Sequence, residues 1–449
     1  MAELPTDVDL LSQIQTALEA QALSRVDELL SALHSAEIAN LLESLPPDLR
    51  EQVWARVTPE RDGEVLAHAE GDVRTSLILH MEPGEVADAT RYLDIDDAVD
   101  VLQHVPNSMV ARVLAAMDEQ HRQRLSLVLS YPDDCAGGLM NTDVLTVRAD
   151  VSLEVVFRYL RLHKELPDKT DMLLVVDRNN YYQGGLLLSR LLTHAPDALV
   201  ADVMARDVEG ITADTNNREV ARLFEERDWI SAPVVDRNGY LLGRITIDDV
   251  VDVIRENADH QLMSSAGLDE DDDMFAPALS TARYRALWLG INLATALLAA
   301  AVISLFEAAL DQIVALAVLM PIVASMGGIA GSQTLTVMIR GMALGKVADA
   351  NSLWLLRKEL LVGLLNGLLW AVVVGVIAGV WFHSPAIGGI IGIALVINLV
   401  CAALAGTLVP LLLRRLHIDP ALAGGVVLTT VTDVVGFFAF LGLATLLLL

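Results

Sequence analysis

Cysteine and basic residues are scarce in this chain. Two cysteines in 449 residues, Cys135 and Cys401, imply no disulfide framework and fit a soluble part in a reducing compartment. Lysine and arginine number 31 against 59 acids, a formal net charge of −28. Such a surface repels nucleic acid and favours cations, which excludes nucleic acid as a partner. No GxxxxGK[ST] phosphate loop occurs, so ATP-driven pumping of that type is excluded. The soluble half shows no nucleophile–base signature, which argues against an enzyme. The N-terminus, Met1-Ala-Glu-Leu-Pro-Thr-Asp, lacks a basic-then-apolar signal pattern and is expected to stay in the cytosol.

Charge is also missing from the last third. From Ala286 onward there are six acids and six bases, so the whole excess of acid falls on the residues before it. Five charge-poor runs follow: Leu287–Phe306, Ile313–Ile339, Leu360–Phe382, Ala386–Leu413 and Ala421–Leu449. About 20 apolar residues cross a bilayer, so each run reads as a span. The bases lie after spans two and four, which places the N-terminal domains in the cytosol and the C-terminus outside.

The five runs contain one charged side chain, Asp433. A carboxylate there costs at least ~2.5 kcal/mol and normally faces a bundle interior or a water-filled path. Thr429, Thr430, Asp433 and Gly436 are spaced to share one helix face. That face offers oxygens and close backbone approach, which suits a hard cation. Span two pairs small residues at Gly327/Gly331 and Gly328/Ser332, after Pro321. The spacing serves close packing, and glycine carbonyls also line paths. Spans two and five are therefore the expected pore wall, with Gly328 and Ser332 lining it. Asn292, Asn366 and Asn398, single polar residues in other spans, are expected to make interhelical hydrogen bonds.

The acidic half divides in two. Residues 1–139 have helical periodicity and repeat at an offset of 60: Leu41-Leu42-Glu43-Ser44-Leu45-Pro46 recurs as Val101-Leu102-Gln103-His104-Val105-Pro106. This predicts stacked helix pairs with proline corners. His34, His68, His80, His104 and His121 show no metal-ligand spacing. Residues 140–200 and 201–255 read as two copies of an α/β module. Val175-Val176-Asp177-Arg178-Asn179 returns letter for letter at Val234–Asn238. Next, Asp248–Leu262 reads as an amphipathic helix. Val250, Val251, Ile254, Ala258 and Leu262 form its apolar stripe, and Asp248, Asp252, Glu256 and Asp259 its acidic one. Asp249 adds a further carboxylate, and Asp269–Asp273 is a run of five acids. Clustered carboxylates repel one another and a divalent cation relieves the repulsion, which makes this stretch a candidate cation sensor.

The two copies resemble a tandem pair of CBS domains, a regulatory module that often binds adenine nucleotides. The ribose-contacting Thr-x-x-Asp pattern of that module matches Thr246-Ile247-Asp248-Asp249 in the second copy only. The whole chain resembles the MgtE family of magnesium transporters. The most specific stretches are Tyr131–Met140, Met326–Gly345 and Asp419-Pro-Ala-Leu-Ala with Leu428–Gly436. The resemblance implies a multidomain membrane protein: an α-superhelical N domain (1–139), tandem α/β CBS domains (140–200 and 201–255), a connecting helix with an acidic linker (248–285) and a five-helix transmembrane domain (286–449). It implies a homodimeric Mg2+-selective channel or transporter in the bacterial cytoplasmic (inner) membrane, mediating passive uptake. Asp433 would meet its symmetry mate at the pore ion, joined by Thr429, Thr430, Gly328 and Ser332, with Asp419 at the cytosolic mouth. Cytosolic Mg2+ held near Asp248, Asp249, Asp252, Glu256 and Asp259 would lock the pore shut. ATP or another adenine nucleotide would contact Thr246 and Asp249. Two places depart from the family pattern: Ile329 and Ser332 stand where span two often carries Asn, and Asn257, His260 and Gln261 stand where some members carry acids. The alternatives are transport of Co2+ or Mn2+, which oxygen ligands without a Cys/His cluster disfavour, and a membrane-anchored ion or nucleotide sensor, which Asp433 disfavours.

Overall fold

The computed structural model describes residues 7–103, 105–163, 166–167, 169–268, 273–416 and 418–449. They form two compact units: one runs to Asp259 and includes 273–276, and the other holds 260–268 and the described residues from Pro277 on.

The first unit begins with short helices. The offset-60 repeat is structural: Pro46 and Pro106 both cap the helix that follows them, Pro47–Trp54 and Asn107–Ala116. Proline's fixed φ and missing N–H suit the start of a helix. Val53 and Val113, the repeat-related residues of those helices, are both fully buried.

Two three-stranded sheets follow. β1 (Thr146–Arg148), β2 (Met172–Val176) and β3 (Tyr182–Leu187) form one; β4 (Ile211–Thr212), β5 (Ser231–Val235) and β6 (Leu241–Thr246) form the other. In each, the first strand pairs parallel to the second and the second antiparallel to the third. The identical Val-Val-Asp-Arg-Asn pentapeptides carry the same register shift, between Val175 and Val176 and between Val234 and Val235. Asp177 and Asp236 close equivalent turns, each accepting two backbone N–H groups with its Oδ1. The copies meet at Tyr181 and Tyr240, whose rings contact edge to face at 6.1 Å.

The copies differ in what covers them. The second shares one hydrophobic core with the N-terminal helices, while the first has a core of its own. Residues 131–140 make the junction: Gly137 N–H donates to the Ala213 carbonyl and Asn141 pairs with Arg244. Gly137 lies so close to the Tyr131 ring that a methyl group there would stand 2.5 Å from it.

The connecting helix spans Ile247–Ser265. Its buried line is Val250 and Val253, which enter the shared core. Val251, Ile254, Ala258 and Leu262 are exposed, contrary to the expected apolar stripe. Only the first turns pack against the core, and there a spacing of three selects the buried face. Of the acidic run, Asp273 is described; 269–272 lie outside the described residues, as does His104. Asp273 is not free for a cation. Its carboxylate accepts from the buried Arg50 guanidinium at 2.8 Å, and Arg50 also donates to the Leu42 and Leu45 carbonyls.

Among the described residues, the second unit contains five helices long and apolar enough to cross a membrane. They are span one (Ala278–Ser304), span two (Val314–Ala343), span three (Asp349–Trp381), span four (Pro385–Arg415) and span five (Pro420–Leu448). Spans one to four extend past the apolar runs at one end or both, and span five starts one residue before its run, because backbone hydrogen bonding continues past the hydrophobic part. Arg340, Arg357, Lys358, Arg414 and Arg415, expected in the loops after spans two and four, are therefore helical, as is Glu359. The stretch after span one holds a short helix, Glu307–Gln312. Span four is central: 61% of its most apolar window is buried, against 6% for span one. It meets span three at Gly375 and Gly388, where a methyl group on Gly388 would stand 2.3 Å from the Gly375 carbonyl oxygen.

Arg50→Ala would strand a buried carboxylate and two carbonyls. It should destabilise the first unit by about 3 kcal/mol, as breaking a buried ion pair does. Thermal unfolding of the full-length protein checks this; an unchanged transition would show that Asp273 is released to water at no cost.

Candidate functional site

Span five starts at Asp419, the N-cap residue, whose Oδ1 accepts from Ala421 N–H at 2.7 Å. Its Oδ2 lies 2.6 Å from His260 Nε2. Both oxygens of the expected mouth residue are thus engaged, one by its own helix and one by the imidazole.

Further along, Leu428, Thr432 and Gly436 recur every fourth residue and are buried. Leu428 packs on Gly331 of span two, and Leu335 of span two on Gly424. Gly436 thus serves the packed face and not the face of Asp433, as its spacing suggested. Thr429 is exposed, and Thr430 and Asp433 are half-buried beside that packed line. The hydroxyl of Thr429 donates to the Gly425 and Val426 carbonyls and that of Thr430 to Val426, at 2.7–3.1 Å. With their protons spent on the helix, these oxygens remain as acceptors. Asp433 makes no hydrogen bond or ion pair with another described residue. The face therefore offers acceptors only, which complements a cation or the donating waters around one.

Span two divides by face. Gly327 and Gly331 are buried in packing, whereas Gly328 has nothing within 4 Å of where a side chain would begin. Gly328 and Ser332 line an open groove with Ser325, Gln333 and Thr336. The last three were not singled out from sequence. Ser325 and Thr336 had a signal, an i, i+3, i+7, i+11 line of small and polar residues, Ser325-Gly328-Ser332-Thr336, through an apolar helix; Gln333 lies off that line.

Glu359 is a second carboxylate inside the helical unit, 6% exposed. It accepts from Lys358 Nζ at 2.9 Å and from the Thr334 hydroxyl of span two at 3.3 Å. Among the polar amides, Asn398 donates across to span two as expected. Asn292 bonds within its own helix, to the Trp288 carbonyl, and Asn366 is exposed.

In the first unit, the acids of the connecting helix meet acids the sequence reading had passed over. Helix Ile95–Gln103 contributes Asp96, Asp97 and Asp100. Asp96 is buried, accepts from Asn141 Nδ2 at 3.2 Å, and is pushed well above the ordinary carboxylate range by burial and then by Asp249. Burial, then Asp248, pushes Asp249 up to about 8. Burial also lifts Asp100 to about 7, against the pull of Arg74 and with help from Asp96, Asp97 and Glu256. Asp248 goes the other way. Although burial raises it, hydrogen bonds from Lys169 and Thr246 hold it below its usual value. Asp252 and Asp259 are exposed. The junction thus draws its carboxylates from two helices distant in sequence, although among the described residues no three of them converge closely enough to hold a metal ion.

The Thr246–Asp249 pattern has a local role. Asp249 Oδ2 accepts from the Thr246 backbone N–H and hydroxyl, both at 3.1 Å, closing the first turn of the connecting helix as a capping box does.

Comparisons with known proteins agree with this architecture. The family model described as "Divalent cation transporter" matches residues 320–443, "MgtE intracellular N domain" residues 33–134 and "CBS domain" residues 200–256. The magnesium transporter MgtE of Bacillus subtilis is 26% identical over 92% of both chains. A solved structure, described as the cytosolic domain of the Mg2+ channel MgtE in complex with ATP, is 30% identical; the match covers 54% of this chain and 99% of that one, with a TM-score of 0.49. The magnesium transporter MgtE of Thermus thermophilus is 31% identical over 97% of this chain and 98% of its own length, and on that likeness the chain belongs to the MgtE family of magnesium transporters.

Proposed function

We propose that this chain forms a Mg2+-selective passive channel in the cytoplasmic membrane, with Asp433 on the ion path and the acidic junction as its cation-sensitive control. The observation that carries the reading is Asp433 itself. An intramembrane carboxylate without a protein partner is costly, and a passing cation supplies what it lacks. Mg2+ sheds water reluctantly, so it crosses largely hydrated. Its waters donate to the Asp433 carboxylate and the Thr429 and Thr430 oxygens. Two copies of the chain, meeting across the open groove of span two, place two such carboxylates on one axis. The N-terminal unit lies in the cytosol and the C-terminus outside, in keeping with the bases after spans two and four.

Control begins at the junction. When cytosolic Mg2+ is high, the ion neutralises Asp96, Asp100, Asp248, Asp249 and Glu256 and holds the two helices together. The connecting helix carries this state onward, since its last turn belongs with the membrane unit. An adenine nucleotide on the second CBS copy, near Thr246 and Asp249, is a further input at the same place.

Asp433→Ala should reduce Mg2+ uptake into vesicles to the protein-free background while leaving expression and unfolding temperature unchanged. Undiminished uptake would sink the pore assignment, and Co2+ or Mn2+ outcompeting Mg2+ in the same assay would overturn its selectivity.

The junction predicts a pH dependence. A carboxyl whose folded pKa lies above its unfolded value, as for Asp249 at about 8 and Asp100 at about 7, holds its proton more tightly when folded. That contribution to stability is complete below pH ~4 and is lost as pH rises to about 8. Cation-free protein should therefore unfold at lower temperature as pH rises over this window. Added Mg2+, which takes the ionised form, should restore more stability at the alkaline end. An Mg2+ effect equal at both ends would argue against a site made of these carboxylates.

A further inference from the structure

Span four carries one amide with no exposed surface, Asn398. Its Nδ2 donates to the Val323 carbonyl of span two at 2.8 Å. Two glycines make room for it. A methyl group on Gly327 of span two would stand 2.3 Å from Nδ2, and one on Gly436 of span five 2.7 Å from the same nitrogen. The amide is wedged among three helices, and its Oδ1 finds no donor among the described residues. Both glycines adjoin the candidate path. Gly327 precedes Gly328, which opens on the groove, and Gly436 lies one turn beyond Asp433.

A bundle held together by packing alone has no use for this amide. A polar side chain in a membrane interior is expensive, and an acceptor without a donor adds to the cost. Leucine is similar in size and needs no partner. What leucine lacks is a directional bond. The Asn398 bond ends on a backbone carbonyl, so it fixes the height of span two against span four, which side-chain contacts restrain less sharply.

We propose that Asn398 is a positioning residue for the ion path: bound to the Val323 carbonyl between Gly327 and Gly436, it sets the register in which span two presents Gly328 and span five presents Asp433. This rests on the reading of Asp433 as a pore residue. Asn398 touches no ion in this scheme and acts only through the two helices it joins.

The test uses the full-length protein in vesicles, with Mg2+ uptake measured against concentration and thermal unfolding of the same preparations. Asn398→Leu should keep or raise the unfolding temperature. It should lower maximal uptake about tenfold, in the range lost by an intact but displaced site, and shift the half-saturating Mg2+ concentration. A second variant separates bond from filling: Asn398→Ala with Gly327→Ala puts a methyl group where the amide stood. It should fold and stay slow. Normal uptake by Asn398→Leu overturns the proposal, as does recovery in the double variant. So does uptake that falls only in step with unfolding temperature in both. Asp433→Asn, measured alongside, keeps the two readings apart. If it conducts normally, the pore assignment fails and the positioning role with it; if it is inactive while Asn398→Leu is normal, the positioning role alone fails.

Discussion

A charge removed from water must find an opposite charge, a hydrogen-bond donor or water carried in with it, and three acidic places in this protein meet that demand in different ways. Glu359 meets it inside the protein, with Lys358 on one oxygen and Thr334 on the other. Asp433 has no partner of either kind among the described residues. The acidic junction meets it unevenly: Lys169 pairs with Asp248, while burial and neighbouring acids push Asp96, Asp100 and Asp249 above the ordinary carboxylate range. The first arrangement is structural. The other two leave a demand that, in the proposed function, a cation satisfies.

Small residues and single polar atoms organise the membrane unit around that demand. Gly331 admits Leu428, and Gly327 and Gly436 admit Asn398, so spans two, four and five lie close. Close approach gives dispersion contacts in an environment where the hydrophobic effect does not drive helices together. It also leaves the opposite face of span two, from Ser325 to Val337, open, with hydroxyls and one amide set among Ile329 and Val337. The helix is thus two-sided, with packing glycines on one face and groove-lining residues on the other, one position apart in sequence.

Much of this was legible beforehand, for reasons that differ by region. The five spans follow from long apolar runs, whose meaning does not depend on neighbours. The duplicated α/β module follows from an identical pentapeptide, and the structure gives both copies the same strand order and the same bulge. The helix–proline–helix repeat follows from proline's restriction of the backbone. Other readings failed where a residue's role depends on what packs against it. Val251, Ile254, Ala258 and Leu262 had helical spacing but no core to enter. Gly436 had the spacing of Asp433's face but was needed by Asn398. Asp96, Asp97 and Asp100 have nothing in the sequence to mark them, and it is burial among other acids that makes them unusual.

The sequence by itself determined which segments enter the membrane, where the excess acid lies, which module is duplicated and that one carboxylate stands alone in the last span. These are properties of composition and local periodicity, and they survive any arrangement of the parts. The tertiary structure alone decided which glycines pack and which open on a groove, which acids face acids, and that Asn398 joins three helices. Those outcomes depend on distances between residues far apart in the chain. A spacing of three or four residues names a face of a helix, but not what that face meets.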